Sequence, residues 1–257
     1  MLTELGRKAG CLCEPAKKGE IRCPLIIRPT SEDVVTGNLF GTLKILNPRW
    51  WLPDLLNGAL GTERFRRQVF RDFRIRLWEK QRTYPREHLK WNEGQTEVDV
   101  VFTWENPKTT VFIEMKYGSN LSSQTTHNNG SDGFPSDQLI RNARVGLREN
   151  GWFQEDLLFH QHPRDFVLIL MTPTTGNPLV KKYRNTEQLR KAIPNSDRLH
   201  DLPRSPFIGE LGYQNVVDLL TKQRHWFSKP ERQLIDDLNE YLEFKLSQLS
   251  KSNGHGH

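Results

Sequence analysis

The sequence predicts an α/β sandwich built around a mixed sheet, and three observations carry that prediction. Segments with helical apolar spacing alternate with short extended runs, in the order helix, three strands, helix, strand, helix. Two of these runs, within TEVDVVFTWENPKTTVFIEMKYG, read as neighbouring strands joined by the turn Glu105-Asn106-Pro107-Lys108. Another, Phe166 to Met171, is a short continuous apolar stretch stopped by Thr172-Pro173, as expected of a buried strand.

A chain of 257 residues can bury one sizeable core. Its 35% hydrophobic and 26% charged residues give the profile of a soluble globular protein. The longest apolar run is far short of a membrane span, and the N-terminus has no signal-peptide core, so a cytoplasmic protein without a membrane partner is expected. The net charge of +6 permits a polyanionic partner. Ten Lys or Arg residues lie between Arg64 and Lys90, a concentration that reads either as a solvated face or as phosphate contacts. Cys11, Cys13 and Cys23 form neither an even disulfide set nor a complete zinc set, and reduced thiols are expected.

Along the chain, residues 1–24 form a basic, aperiodic lead-in. Thr30-Ser31-Glu32-Asp33 supplies helix-capping chemistry ahead of Val35, Leu39, Phe40, Leu43 and Leu46, and Asn47-Pro48 ends that helix. A second helix is expected over Thr62 to Lys80. Its apolar stripe is Phe65, Val69, Phe73 and Leu77, and Arg64, Arg67, Arg71 and Arg74 flank it. A short strand is expected over His88 to Trp91, ahead of the two hairpin strands. Gly118 to Ser136 is polar and long for a loop in a compact domain. Helices follow over Asp137 to Glu149, Thr186 to Ala192 and Tyr213 to Gln223. The last runs from Pro230 to about Leu249, with Leu234, Leu238, Tyr241, Leu242 and Leu249 on its apolar side. The expected division is the lead-in, a folded domain at 25–228, a C-terminal helix at 229–250 and a disordered tail at 251–257. The C-terminal helix packs either on the domain or on a partner such as a second copy of the chain.

The hairpin brings Asp99 and Glu114 to adjacent strand ends, with Lys116 two residues on. Two carboxylates supply hard oxygen ligands for Mg2+, and a lysine supplies charge beside an attacking water. Glu97 shares the Asp99 face of an alternating strand, as an auxiliary ligand or a solvated rim residue. Each residue also has an ordinary reading. Strand carboxylates pair with surface cations, and an acid such as Glu32 is favoured in any first helical turn. Gln138 and Arg141 fit as helix decoration, and Tyr117 as a packing residue. No phosphate-binding glycine loop and no G-x-S-x-G nucleophile turn is present.

Asp99 on one strand, Glu114-Met115-Lys116 on the next, Glu32 in SEDVVTGNLFGTL and Gln138 with Arg141 in DQLIRN together resemble the PD-(D/E)XK nuclease superfamily, over roughly residues 30 to 172. Val98 stands where that family nominally has proline. The resemblance implies a restriction-endonuclease-like three-layer sandwich with an αβββαβ core and extra C-terminal helices. It implies Mg2+-dependent phosphodiester hydrolysis, with Mn2+ substituting and DNA the preferred substrate. Asp99, Glu114 and Lys116 would be catalytic, with Gln138 and Arg141 bracing the site or meeting the phosphate. Glu32, Asp99, Glu114 and the Met115 carbonyl would hold the metal. Arg64, Arg67, Arg71, Arg74 and the 118–136 stretch would line the nucleic acid. The alternative is an inactive nucleic-acid-binding or assembly subunit on the same fold.

Overall fold

The computed structural model describes residues 31–81, 95–117, 121, 134–135, 137–154 and 162–253. The lead-in, the cysteines, the strand expected at 88–91, most of the 118–136 stretch and residues 254–257 lie outside these.

Helix α1 (Glu32–Leu43) starts where its capping chemistry predicts: Ser31 Oγ accepts the Val34 N–H at 3.3 Å, and Glu32 and Asp33 occupy the first turn. Asn47 ends this region by capping a 3-10 turn, Pro48–Trp50. A helix that the periodicity did not reveal follows, α2 (Leu52–Leu60). Pro53 sits in its first turn, where a missing N–H leaves no bond unmade, and Gly61 closes it at φ 66°.

The expected helix over 62–80 is not formed. Residues 62–68 make turns, and β1 (Arg71–Gln81) is a strand. The cause is visible in the spacing. Val69, Phe73 and Leu77 recur every four residues, which suits a helix face but is also a multiple of the strand period of two. Ile75 completes the alternation, with Arg74 and Arg76 exposed between buried or half-buried Phe73, Ile75 and Leu77.

Strands β2 (Thr96–Glu105) and β3 (Thr109–Met115) form the expected antiparallel hairpin. Then come α3 (Gln138–Glu149), capped by Asp137, and β4 (Asp165–Thr172). Two short helices, α4 (Pro178–Arg184) and α5 (Thr186–Lys191), lead to β5 (Ile208–Gly212). The chain ends in α6 (Tyr213–Gln223), a 3-10 turn (Arg224–Trp226) and α7 (Lys229–Asn253), four residues longer than the stripe ending at Leu249 suggested. Strand β5 escaped the sequence reading because five residues with two glycines carry no pattern; parallel pairing with β4 makes them a strand.

The sheet order is β1-β2-β3-β4-β5, antiparallel across the first three strands and parallel from β3 to β5. Helices α1, α2, α6 and α7 share one core with Val100, Phe102, Ile113 and Met115 on one face of the sheet. On the other, α3, α4 and α5 pack over Val101, Phe112, Leu168 and Leu170. This five-stranded mixed sheet between helical layers is the restriction-endonuclease-like α/β sandwich architecture. The C-terminal helix packs on the domain itself, through Ile235, Leu238 and Leu242. No helix among the described residues is long and apolar enough to cross a membrane.

Candidate active site

The antiparallel pairing of β2 with β3 runs from Trp104↔Thr109 to Val100↔Ile113, and Asp99 and Glu114 are the next residues outward. There the ladder gives way to a side chain: the Met115 N–H donates to Asp99 Oδ2 at 2.8 Å. Glu114 is fully buried. Its Oε1 stands 2.8 Å from Lys116 Nζ, and its Oε2 accepts a hydrogen bond from Asn142 Nδ2 at 2.8 Å.

Lys116 reaches three oxygens at once. Its ammonium lies 3.1 Å from Glu32 Oε1, 2.9 Å from the Met115 carbonyl and 2.8 Å from Glu114. The second oxygen of Glu32 accepts the Tyr117 N–H at 3.0 Å. The start of α1 is thereby tied to the end of β3, across 84 residues of sequence. The backbone of Lys116 is held on both sides. Its N–H donates to the Met171 carbonyl on β4 at 2.9 Å, and its carbonyl accepts the Tyr213 hydroxyl at 2.9 Å. Tyr117 packs as expected, stacked on Tyr213 with its hydroxyl donating to the Lys245 carbonyl on α7.

Two carboxylates thus contact one ammonium, a third adds its charge nearby, and their titration reflects the imbalance. Burial holds the Asp99 carboxyl well above its usual range, and the Glu114 charge adds to that. Burial also raises Glu114, against the opposing pull of Lys116 and Asn142. Burial works against the Lys116 charge, but Glu114 leads a set of carboxylates that outweighs it, and its pKa is raised.

Among the described residues, no three Asp, Glu, His or Cys side chains stand close enough together to ligate one ion. Glu32 and Glu114 converge instead on Lys116. The donor set is nevertheless all oxygen. Two carboxylates and a main-chain carbonyl lie within 3.1 Å of one positive charge, and a third carboxylate is hydrogen-bonded at the adjoining residue. That is the ligand chemistry of a small hard cation.

The other expected site residues are distributed differently. Gln138 and Arg141 lie half-buried on α3, but the hydrogen bond from that helix to Glu114 comes from Asn142. A Cβ at Gly146 would stand 2.0 Å from the Phe166 ring, so glycine is what lets α3 lie this close to the sheet. Asn142 had a sequence signal: an amide between Leu139 and Gly146 on the buried stripe. Glu97 lies half-buried opposite Lys80 on β1.

The four arginines do not share a helix face. Arg64 turns inward, ion-paired with Asp165 and donating to the Arg204 carbonyl at 2.9 Å. Burial, then the Arg204 charge, lowers its pKa to about 10. Arg67, Arg71 and Arg74 are exposed. Arg71 pairs with Glu105, six residues along β2 from Asp99, or about 20 Å at strand rise. Arg74 lines an open groove of about 460 Å3 in which Arg76 and Arg164 are balanced by Asp72, Glu105 and Glu149.

Compared with known proteins, the chain matches no family model, no curated protein and no solved structure. The architecture and the site geometry therefore carry the functional argument.

Proposed function

We propose that the chain is a divalent-metal-dependent phosphodiesterase of the PD-(D/E)XK type that hydrolyses nucleic acid, DNA by preference. The observation that carries this reading is the set of oxygens from Glu32, Glu114 and Met115 gathered around the Lys116 ammonium, with Asp99 beside them across the strand ends.

Asp99, Glu114, the Met115 carbonyl and Glu32 would share one or two Mg2+ ions, with no more than two of the carboxylates on any one ion and Mn2+ an alternative. When bound, such an ion acidifies a water and neutralises charge on the scissile phosphate. Lys116, its pKa raised by the surrounding carboxylates, keeps its proton at neutral pH. It would act as a charged hydrogen-bond donor toward phosphate oxygen and attacking water, or take part in that water's deprotonation. Asn142 fixes the plane of the Glu114 carboxylate. Tyr213 and β4 fix the backbone from which Lys116 projects. Arg67, Arg71 and Arg74 remain candidate phosphate contacts at the far end of the sheet. Arg64, spent on Asp165, does not.

The deciding experiment incubates the full chain with linear, circular and single-stranded DNA, and with RNA, in Mg2+ or EDTA. Mg2+-dependent cleavage that Asp99→Ala, Glu114→Ala and Lys116→Ala each abolish supports the reading. Full activity in EDTA overturns it, as does wild-type turnover in any of the three variants. Binding without cleavage in any divalent ion would favour the inactive binding subunit.

A further inference from the structure

The far end of the helical layer carries a second feature that the carboxylate–lysine cluster does not use. Trp50, in the turn after α1, stacks on Trp226, in the turn after α6, with ring centroids 4.9 Å apart and planes within 10° of parallel. The Arg49 guanidinium lies over the Trp50 ring at 4.8 Å. The Trp226 indole is 53% exposed. Ile45, in the same turn region as Trp50, is 65% exposed.

This surface is braced through three of its carboxylates. Asp236 takes a two-point contact from Arg224 Nε and Nη2, at 2.7 and 2.6 Å. Glu231 accepts from the Ser228 backbone and hydroxyl and from the Asn47 N–H. Asp54 accepts from Gln223. Lys44, Arg49, Lys222 and Lys229 are all exposed, and none has an ion pair among the described residues. The result is a half-exposed Trp226 indole, stacked on Trp50 and flanked by the His225 ring at 4.7 Å, with four exposed cations on the adjoining turns and helix ends. That combination matches a partner with planar rings and a polyanionic backbone.

We propose that the Trp50–Trp226 stack is a nucleobase platform for single-stranded nucleic acid, with Lys44, Arg49, Lys222 and Lys229 meeting the phosphates. A single strand is the fitting occupant because its unstacked bases offer a free face, whereas duplex bases are covered on both sides. The platform lies at the C-terminal ends of α1 and α6, and the carboxylate–lysine cluster lies at their N-terminal ends. α1 itself is 12 residues, about 18 Å, long. The proposal rests on the nucleic-acid part of the reading above but not on its chemistry, so the two fail separately.

The test is fluorescence anisotropy of labelled dT20 with the full chain in EDTA, where metal-dependent cleavage is silent. Trp226→Ala should weaken dT20 binding about tenfold, while Trp226→Phe retains most of the affinity. An abasic strand of the same length should bind the wild type about as weakly as Trp226→Ala binds dT20. This arm needs no variant and stands even if Trp226→Ala misfolds. Lys44→Ala with Lys229→Ala should flatten the log–log salt slope by about 1.4, at about 0.7 per single-strand phosphate contact. Equal binding of dT20 and the abasic strand overturns the platform. So does a Trp226→Ala variant that binds dT20 normally but changes oligomeric state, which would make the patch a contact between copies.

Discussion

Asn142 Nδ2 donates to Glu114 Oε2 at 2.8 Å, between two side chains that are both fully buried. The bond joins α3 to the end of β3 and leaves Glu114 Oε1 directed at Lys116. Removing it strands a carboxylate oxygen away from water. Asn142→Ala should therefore lose about 1–3 kcal/mol of stability by urea denaturation. It should also lower Mg2+-dependent cleavage by more than the fraction unfolded explains. Asn142→Asp, which sets a further carboxylate against Glu114, should be worse on both counts. Wild-type stability and cleavage in both variants would show that Glu114 needs no such anchor.

Asp99 gives a pH signature. Its carboxyl is held well above its usual range, by burial first and by the Glu114 charge second. A group whose folded pKa exceeds its unfolded one contributes stability that is fully present below the unfolded pKa and lost as pH rises through the folded pKa. At neutral pH Asp99 is therefore a liability to the folded chain. Asp99→Asn keeps an acceptor for the Met115 N–H and should raise the melting temperature there, by about 2–4 °C for each kcal/mol regained. The gain should shrink as pH falls and be lost below about pH 4, where the unfolded carboxyl is proton-bound as well as the folded one. A gain that does not change with pH would point to packing instead.

Lys116 contacts Glu114, Glu32 and the Met115 carbonyl at once. Lys116→Met should lose about 3–5 kcal/mol in EDTA, the usual cost of stranding one side of a buried ion pair. Millimolar Mg2+ should recover part of that loss in a thermal melt and shift the variant more than the wild type, since no ammonium competes for the oxygens. If Mg2+ leaves the Lys116→Met melting temperature unmoved, these oxygens do not form a cation site.

The arginines separate into two kinds of variant. Arg64→Ala breaks the contacts to Asp165 and Arg204 and should destabilise the chain without altering the salt dependence of DNA binding. Arg67→Ala with Arg71→Ala, both exposed, should leave stability within about 0.5 kcal/mol. If both meet duplex phosphates, that pair should flatten the log–log salt slope by roughly two units. An unchanged slope, measured by KCl titration, would take the nucleic acid away from this end of the sheet.

The hairpin, the capped start of α1, the helix after Asp137 and the buried run at 166–171 were legible because each is specified locally. Alternation, capping side chains and a turn dipeptide act within a few residues of themselves. Asp99, Glu114, Lys116 and Glu32 were legible for the same reason, since each stands at the end of a locally defined element. The strand at Arg71–Gln81 was misread because a four-residue apolar spacing satisfies both periods, and only pairing with β2 selects the extended form.

By itself, the sequence determined which residues end the central strands, where the first helix is capped and that a mixed sheet lies between helices. Those properties follow from short-range sterics and hydrogen bonding. Only the tertiary structure decided that the Lys116 ammonium bridges Glu32 and Glu114, that Asn142 anchors Glu114, that Arg64 turns inward and that Trp50 meets Trp226. Each of these joins residues far apart in the chain, and their separation in space is set by how the helical layers close on the sheet. No local pattern encodes that distance, because it results from packing the whole core at once.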